Sequence, residues 1–301
     1  MRFQTLQQIK DICEAEQLTI AELMITEQMQ QSAQTRELIE GQMSGYYQIM
    51  KEAVRKGIEE TVTSRSGLTG GDAKRVHDYL SGGVSSLDQE ACLALAYALS
   101  VSEVNASMGR IIATPTAGSC GIIPGVFVSS QQRFGWSDEK LVNGLFTAGA
   151  IGYVIANSSF VSGAEGGCQA EVGSAIGMAA GAITELRGGT PEQVMHAVAL
   201  ALKNCLGLIC DPVAGLVEIP CIVRNGFGAV TALAAADMAL AGVRSVIPSD
   251  EVIGVMLQVG LSMPSQYRET AQGGLAQTPT GRRIAKQWNR AEAEDDNETI
   301  S

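Results

Sequence analysis

The chain has 301 residues, with 21 Lys and Arg against 32 Asp and Glu, a formal charge of −11. A chain so acidic lacks the basic surface that neutralises nucleic-acid phosphates or anionic lipid headgroups, which argues against both as partners. Apolar residues make up 46% and charged residues 18%, against roughly 25% charged in ordinary soluble domains, so the chain can bury a large core.

Aromatics are only 5%, and there are 34 glycines. Such a core must be filled by closely approaching backbones. The N-terminus, Met1-Arg2-Phe3-Gln4, opens a mixed polar segment without the apolar run of a signal peptide. Thr19-Ile20-Ala21-Glu22 reads as a capping box at the start of a helix through Met24 to Met29. A second amphipathic stretch runs from Thr35 to about Thr61. Residues 1–62 are polar and Gln/Glu-rich, and are expected to pack as amphipathic helices on a body spanning 63–284. Ser86, Ser137 and Ser249 each precede acidic residues and a periodic apolar run, as N-caps do.

Between Lys140 and Glu165 lie 24 uncharged residues, long enough to span a bilayer. Asn143, Asn157, Ser158, Ser159 and Ser162 interrupt them, with no flanking Lys/Arg asymmetry, so a buried helix pair is expected instead. Gly173, Gly177 and Gly181 recur every four residues on one helix face and predict tight packing in a soluble core. Thr190-Pro191-Glu192-Gln193 is a further start signal. The acidic end, 285–301, is expected to be a solvated, disordered tail. Strand signals are few. The fold class that follows is mainly α, a multi-helix bundle around a Gly/Ala-rich core.

Three loops carry residue types that seldom serve packing alone: Ser66–Asp72, Thr114–Gly121, and Thr278-Pro279-Thr280-Gly281 after Gly273-Gly274. Hydroxyls and bare N–H groups in glycine turns make concave anion sites suited to a carboxylate, although ordinary caps look the same. No phosphate loop occurs. Seven cysteines in a chain this long do not make a disulfide scaffold and point to a reducing cytosol, where clustered thiols serve metals or catalysis. Cys168 lies in Gly166-Gly167-Cys168-Gln169-Ala170-Glu171, and Cys210 and Cys221 bound Cys210-Asp211-Pro212-Val213-Ala214-Gly215-Leu216-Val217-Glu218-Ile219-Pro220-Cys221. Each sits beside Gly or Pro, hence at a loop or helix end. Their spacing alone matches no compact zinc or ferredoxin pattern. Cys13, Cys92 and Cys205 fall within helical runs and read as small buried hydrophobes. His196 reads as structural, His77 as a surface or site residue, and Lys203 lacks a phosphate cup for pyridoxal chemistry.

Taken together, Ser66–Asp72, Glu103–Ala106, Thr114–Gly125, Gly163–Ser174, Leu206–Cys221, Met238–Gly242 and Arg268–Gly281 resemble the alpha chain of the iron–sulfur-dependent L-serine dehydratases, from about residue 4 to residue 284. The resemblance implies a [4Fe–4S] cluster held in loops by Cys168, Cys210 and Cys221. It also implies deamination of L-serine to pyruvate and ammonia in the cytoplasm, the reaction of serine degradation that feeds gluconeogenesis. With three thiolates, one iron stays open as a Lewis acid for the substrate hydroxyl, as an open zinc position does in hydrolytic sites. Ser66, Thr69, Thr116, Gly118 and Ser119 are the expected substrate-binding residues, while the base is unassigned and is placed on a partner chain.

Some single-chain relatives end in a fourth cysteine and carry an extra N-terminal domain. Here no cysteine follows Cys221, so the resemblance implies a separate beta chain and leaves room for a higher oligomer. Cys120 is not expected as a fourth ligand, because it would close the open iron. The alternative reading is a non-enzymatic iron–sulfur or zinc-binding interaction subunit.

Overall fold

A computed structural model describes residues 1–83 and 85–299. Among them are thirteen α-helices and no strands: α1 (Leu6–Glu16), α2 (Ile20–Ser32), α3 (Arg36–Glu59), α4 (Asp72–Ser81), α5 (Gln89–Ala106), α6 (Ile122–Phe134), α7 (Asp138–Ser158), α8 (Gly163–Gly166), α9 (Cys168–Leu186), α10 (Pro191–Lys203), α11 (Cys221–Leu240), α12 (Ser249–Ser262) and α13 (Pro279–Thr299). The mainly-α expectation holds.

Helices begin where the sequence supplies an acceptor for orphan amides. Thr190 and Gln193 form a reciprocal capping box on α10, and Ser137 accepts from the Lys140 amide at the start of α7. Thr19 accepts from the Glu22 amide, but the box is only half made: the Glu22 carboxylate turns instead to the Arg36 guanidinium. Ser86 is not a cap. Asp88 takes that role on α5 through the Ala91 amide at 2.9 Å, a carboxylate being the better acceptor beside the positive end of the helix. Ser249 is the first residue of α12, and Pro248 occupies its N-cap.

Three helices are also capped from a distance. The Leu6 and Gln7 amides of α1 donate to Asp250 at 2.8 and 2.9 Å. Those of Ile20 and Ala21 in α2 donate to Glu185 at 2.6 and 3.3 Å, and those of Asp72 and Ala73 in α4 donate to Glu103 at 2.6 and 3.4 Å.

The body is built around α9, buried along nearly its whole length and packed on α6, α7, α10 and α11. Its glycine face does what the spacing predicts. A Cβ at Gly173 would lie 3.1 Å from Cys205 Cβ, at Gly177 3.4 Å from Leu202, and at Gly181 2.4 Å from Ile151 and 3.0 Å from Val198. The core joins Phe3, Leu6 and Ile9 at one end of the chain to Val252, Ile253 and Met256 near the other.

Two expectations are corrected. Residues 141–164 hold one long helix, α7, followed by the single turn of α8, because nothing inside 138–158 stops the helix. Among the described residues, α7 is the one helix long and apolar enough to cross a membrane, and most of it is buried, against α2, α3 and α9. The segment from 285, expected to be disordered, continues as α13 to Thr299, where Ala291-Glu292-Ala293-Glu294 are strong helix formers; Ile300 and Ser301 lie outside the described residues.

Candidate metal centre

Helix ends deliver the three predicted cysteines. Gly167, at φ +75°, turns the chain from α8 into α9, so that Cys168 is the first helical residue. A side chain at 167 would be strained in that backbone and would meet Met263 Sδ at 2.6 Å. Cys210 sits on an isolated parallel bridge with Arg268: its N–H donates to the Tyr267 carbonyl at 2.8 Å, and its carbonyl accepts from the Glu269 amide at 2.9 Å. Cys221 follows Pro220 as the first residue of α11. All three thiols are buried.

The structure brings Cys168 Sγ, Cys210 Sγ and a Glu171 carboxylate oxygen within 4.8 Å of one another. Cys221 stands outside that close set. Burial first, and then the charge of Cys168, push its thiol upward. A hydrogen bond from Cys210 lowers the Cys168 thiol, against its own burial, with help from the Arg224 charge; the same bond raises Cys210. The positive helix N-termini at Cys168 and Cys221 also favour thiolates.

The thiols of this set fit a soft metal or an iron–sulfur group. The surroundings are shaped accordingly. A Cβ on Gly163 would lie 2.9 Å from Cys210 Sγ and 3.1 Å from Glu269 Oε2, and Arg268 Nε is buried without a partner. Arg224, on α11, braces the frame by donating to the Ile209 carbonyl at 2.8 Å and to Asp211 Oδ1 at 3.0 Å. The other oxygen of Asp211 accepts from the Leu275 amide at 2.7 Å, tying down the segment before α13.

The loop from Thr116 to Ser119 abuts this cluster. Thr116 Oγ1 donates to Glu171 Oε1 and lies 3.2 Å from Ser119 Oγ. The position of Gly118 requires glycine, since a Cβ there would stand 2.5–2.7 Å from the Glu171 carboxylate. Asn225 sews the loop to the metal side. Its Nδ2 donates to the carbonyls of Gly118 at 2.7 Å and Cys221 at 2.9 Å, and its Oδ1 accepts from the Gly121 amide at 2.9 Å. Ser119 is fully buried and spends its hydroxyl on the Thr114 carbonyl at 3.1 Å. Ser66 and Thr69 meet elsewhere on the cysteine segment, both donating to Glu218 Oε2 at 2.8 Å.

Other candidates fall away. Burial pushes the Cys120 thiol up to about 12, and its sulfur faces the Val101 carbonyl at 4.0 Å. Cys13 and Cys205 are also pushed up to about 12 by burial. Thr278 caps α13 through the Gly281 amide at 3.0 Å. His77 stacks on Tyr97, and His196 accepts from the Ser245 amide. Sequence reasoning did not single out Glu171, Glu218, Arg224 or Asn225. The readable signal was their charge or polarity amid Gly-, Cys- and Ala-rich segments, with Arg224 and Asn225 three and four residues after Cys221 on one helix face.

The model of the serine dehydratase alpha chain matches residues 15–276, a span that takes in Cys168, Cys210 and Cys221, the loops at 66–72 and 114–121, and Glu171, Asp211, Glu218, Arg224 and Asn225. The chain belongs to the serine dehydratase alpha chain family. Among similar proteins, the "Probable L-serine dehydratase, alpha chain" of Bacillus subtilis (strain 168) is 51% identical over 284 residues, 94% of each chain. The L-serine dehydratase alpha chain of Peptoniphilus asaccharolyticus is 42% identical over 284 residues, 94% of this chain and 97% of the relative. The L-serine dehydratase of Streptomyces coelicolor is longer: 182 residues align at 50% identity, 60% of this chain but 40% of the relative. The family is one of carbon–nitrogen lyases.

Proposed function

We propose that this serine dehydratase alpha chain deaminates L-serine to pyruvate and ammonia in the cytoplasm, with Cys168, Cys210 and Cys221 holding a [4Fe–4S] cluster. The observation that carries the reading is the meeting of two buried thiols with a buried carboxylate within 4.8 Å, directly beneath the Thr116–Ser119 loop. When bound, the cluster supplies an iron without a fourth thiolate, a Lewis acid for the hydroxyl that leaves.

The residues of the chain do the rest. The backbone N–H groups around Gly118 offer donors for the substrate carboxylate, while the Thr116 hydroxyl, whose proton goes to Glu171, offers the substrate an acceptor. Ser119 holds the shape of that loop through Thr114 and Thr116. Ser66 and Thr69, whose protons go to Glu218, bring a second pair of hydroxyl oxygens to the cysteine segment, where they offer acceptors to the substrate. Burial excludes water from the thiols, which strengthens every polar contact made there.

A beta chain is the proposed partner and the proposed source of the base. The alpha-chain designation of the B. subtilis and P. asaccharolyticus relatives and the greater length of the S. coelicolor relative support that reading. The test is anaerobic reconstitution with iron and sulfide, followed by a pyruvate assay with and without a beta chain. Stoichiometric iron and sulfide with serine-dependent pyruvate is the expected result. Zinc in place of iron, with no pyruvate in either case, would leave the chain an interaction subunit.

A further inference from the structure

Among the described residues, the other buried carboxylates each accept at least two hydrogen bonds. Glu27 is paired with Arg2, Asp211 with Arg224 and the Leu275 amide, Glu218 with two hydroxyls, and Glu103 with two helix amides on Oε1, its Oε2 being buried without a partner. Glu171 is the exception. It is 6% exposed, and among the described residues its one hydrogen-bond donor is the Thr116 hydroxyl on Oε1, with no ion pair. Arg224, whose charge reaches Glu171, donates its hydrogen bonds to Ile209 and Asp211 instead. Burial holds this carboxyl above its usual range; its anion is costly there, and a positive group placed beside it would relieve that cost.

A thiolate-held iron–sulfur group is not that positive group, since three thiolates outweigh the charge of the core. The substrate class of the proposed function is: an α-amino acid brings a carboxylate and an ammonium on neighbouring atoms. The carboxylate donors of the Thr116–Ser119 loop adjoin Glu171 through Thr116 and Gly118. Resting on the serine dehydratase reading, we infer that Glu171 is the substrate-binding residue that receives the α-ammonium group, oriented by Thr116. It thereby selects amino acids over the corresponding hydroxy acids, and the close fit of Gly118 fixes the distance between the two ends of the substrate.

The test compares the reconstituted full chain, with its beta chain where turnover needs one, as wild type, Glu171→Gln and Glu171→Asp. Iron and sulfide content should be equal in all three. Glu171→Gln should raise KM for L-serine about 10- to 100-fold, the range for losing a hydrogen bond to a charged group, with kcat changed only a few-fold. Glu171→Asp should recover part of the loss. Two ligands that do not react isolate the contact by calorimetry: L-alanine, which keeps the ammonium, should bind more weakly to Glu171→Gln by the same factor. By contrast, 3-hydroxypropionate, which lacks the ammonium, should bind wild type and variant alike.

Loss of iron in Glu171→Gln would make it a metal ligand instead. A collapse of kcat at unchanged KM would make it a proton-transfer group. Parallel weakening of both ligands would reduce it to a structural residue. Each of these overturns the inference while leaving serine turnover by the wild type intact. A wild type that makes no pyruvate refutes the functional reading, and the inference with it.

Discussion

Replacing Asn225 by alanine should uncouple the substrate loop from the metal side, and its cost can be worked from three hydrogen bonds. Asn225 satisfies the Gly118 carbonyl, the Gly121 amide and the Cys221 carbonyl. The Cys221 carbonyl keeps its partner inside α11, so two buried backbone groups are orphaned. Each orphan costs about 1–3 kcal/mol, giving about 2–6 kcal/mol in total. In a chain of this size each kcal/mol moves the melting temperature by about 2 °C, so differential scanning calorimetry should show a drop of about 4–12 °C. Because Cys221 and Gly118 share this one side chain, iron retained after anaerobic desalting should fall as well. Asn225→Asp should be little better: it keeps the acceptor for Gly121 but turns an oxygen toward two carbonyls. A melting temperature within about 1 °C of the parent, with full iron, would refute the idea that Asn225 joins the two halves of the site.

The same reasoning extends to other positions. Cys168→Ala, Cys210→Ala and Cys221→Ala should each abolish iron and sulfide binding, whereas Cys13→Ala, Cys92→Ala and Cys205→Ala should leave both unchanged; full iron in any of the first three breaks the ligand assignment. Cys120→Ala should keep the cluster and most turnover, and Ser119→Ala should raise KM up to roughly tenfold, the value of one hydrogen bond; absence of the visible cluster band in Cys120→Ala would contradict this. Burial holds the Glu185 carboxyl above its usual range. The folded state therefore binds this proton more tightly, so the stabilisation is present below about pH 4 and lost as pH rises through the folded value. Urea titrations should accordingly show wild type losing ground against Glu185→Gln between acid and neutral pH, and a gap that moves the other way would sink the assignment.

Much of this architecture was legible in the residues. Hydroxyls at Thr19, Thr35, Ser137 and Thr190 mark helix starts because the acceptor lies within three residues of the amide it serves. Ser86 misled because Asp88 competes for the same helix end, and the expected helix pair at 141–164 fused into α7 because small polar residues inside a helix do not end it. The site divides along the same line. The cysteines and hydroxyl loops stand out by residue type and by their place beside Gly and Pro. Glu171, Glu218, Arg224 and Asn225 were hidden in plain text, inside or next to the quoted motifs. Their roles depend on partners such as Thr116, Ser66, Asp211 and Gly118, which lie from 13 to 152 residues away, and single-sequence patterns carry no information on such pairings.

The distant caps on α1, α2 and α4 bear on how the molecule is put together. Asp250, Glu185 and Glu103 belong to helices far along the chain, yet the first amides of the earliest helices are finished only by them. A nascent chain emerging from the ribosome therefore cannot complete α1 until residue 250 has been made, nor α2 until residue 185. The dependence runs both ways: an N-terminal deletion would strip Asp250 of its two amide donors and leave Glu185 with the Thr147 hydroxyl alone. Evolution is thus not free to trade the first sixty residues as a module, because their helical ends are written in the other half of the sequence.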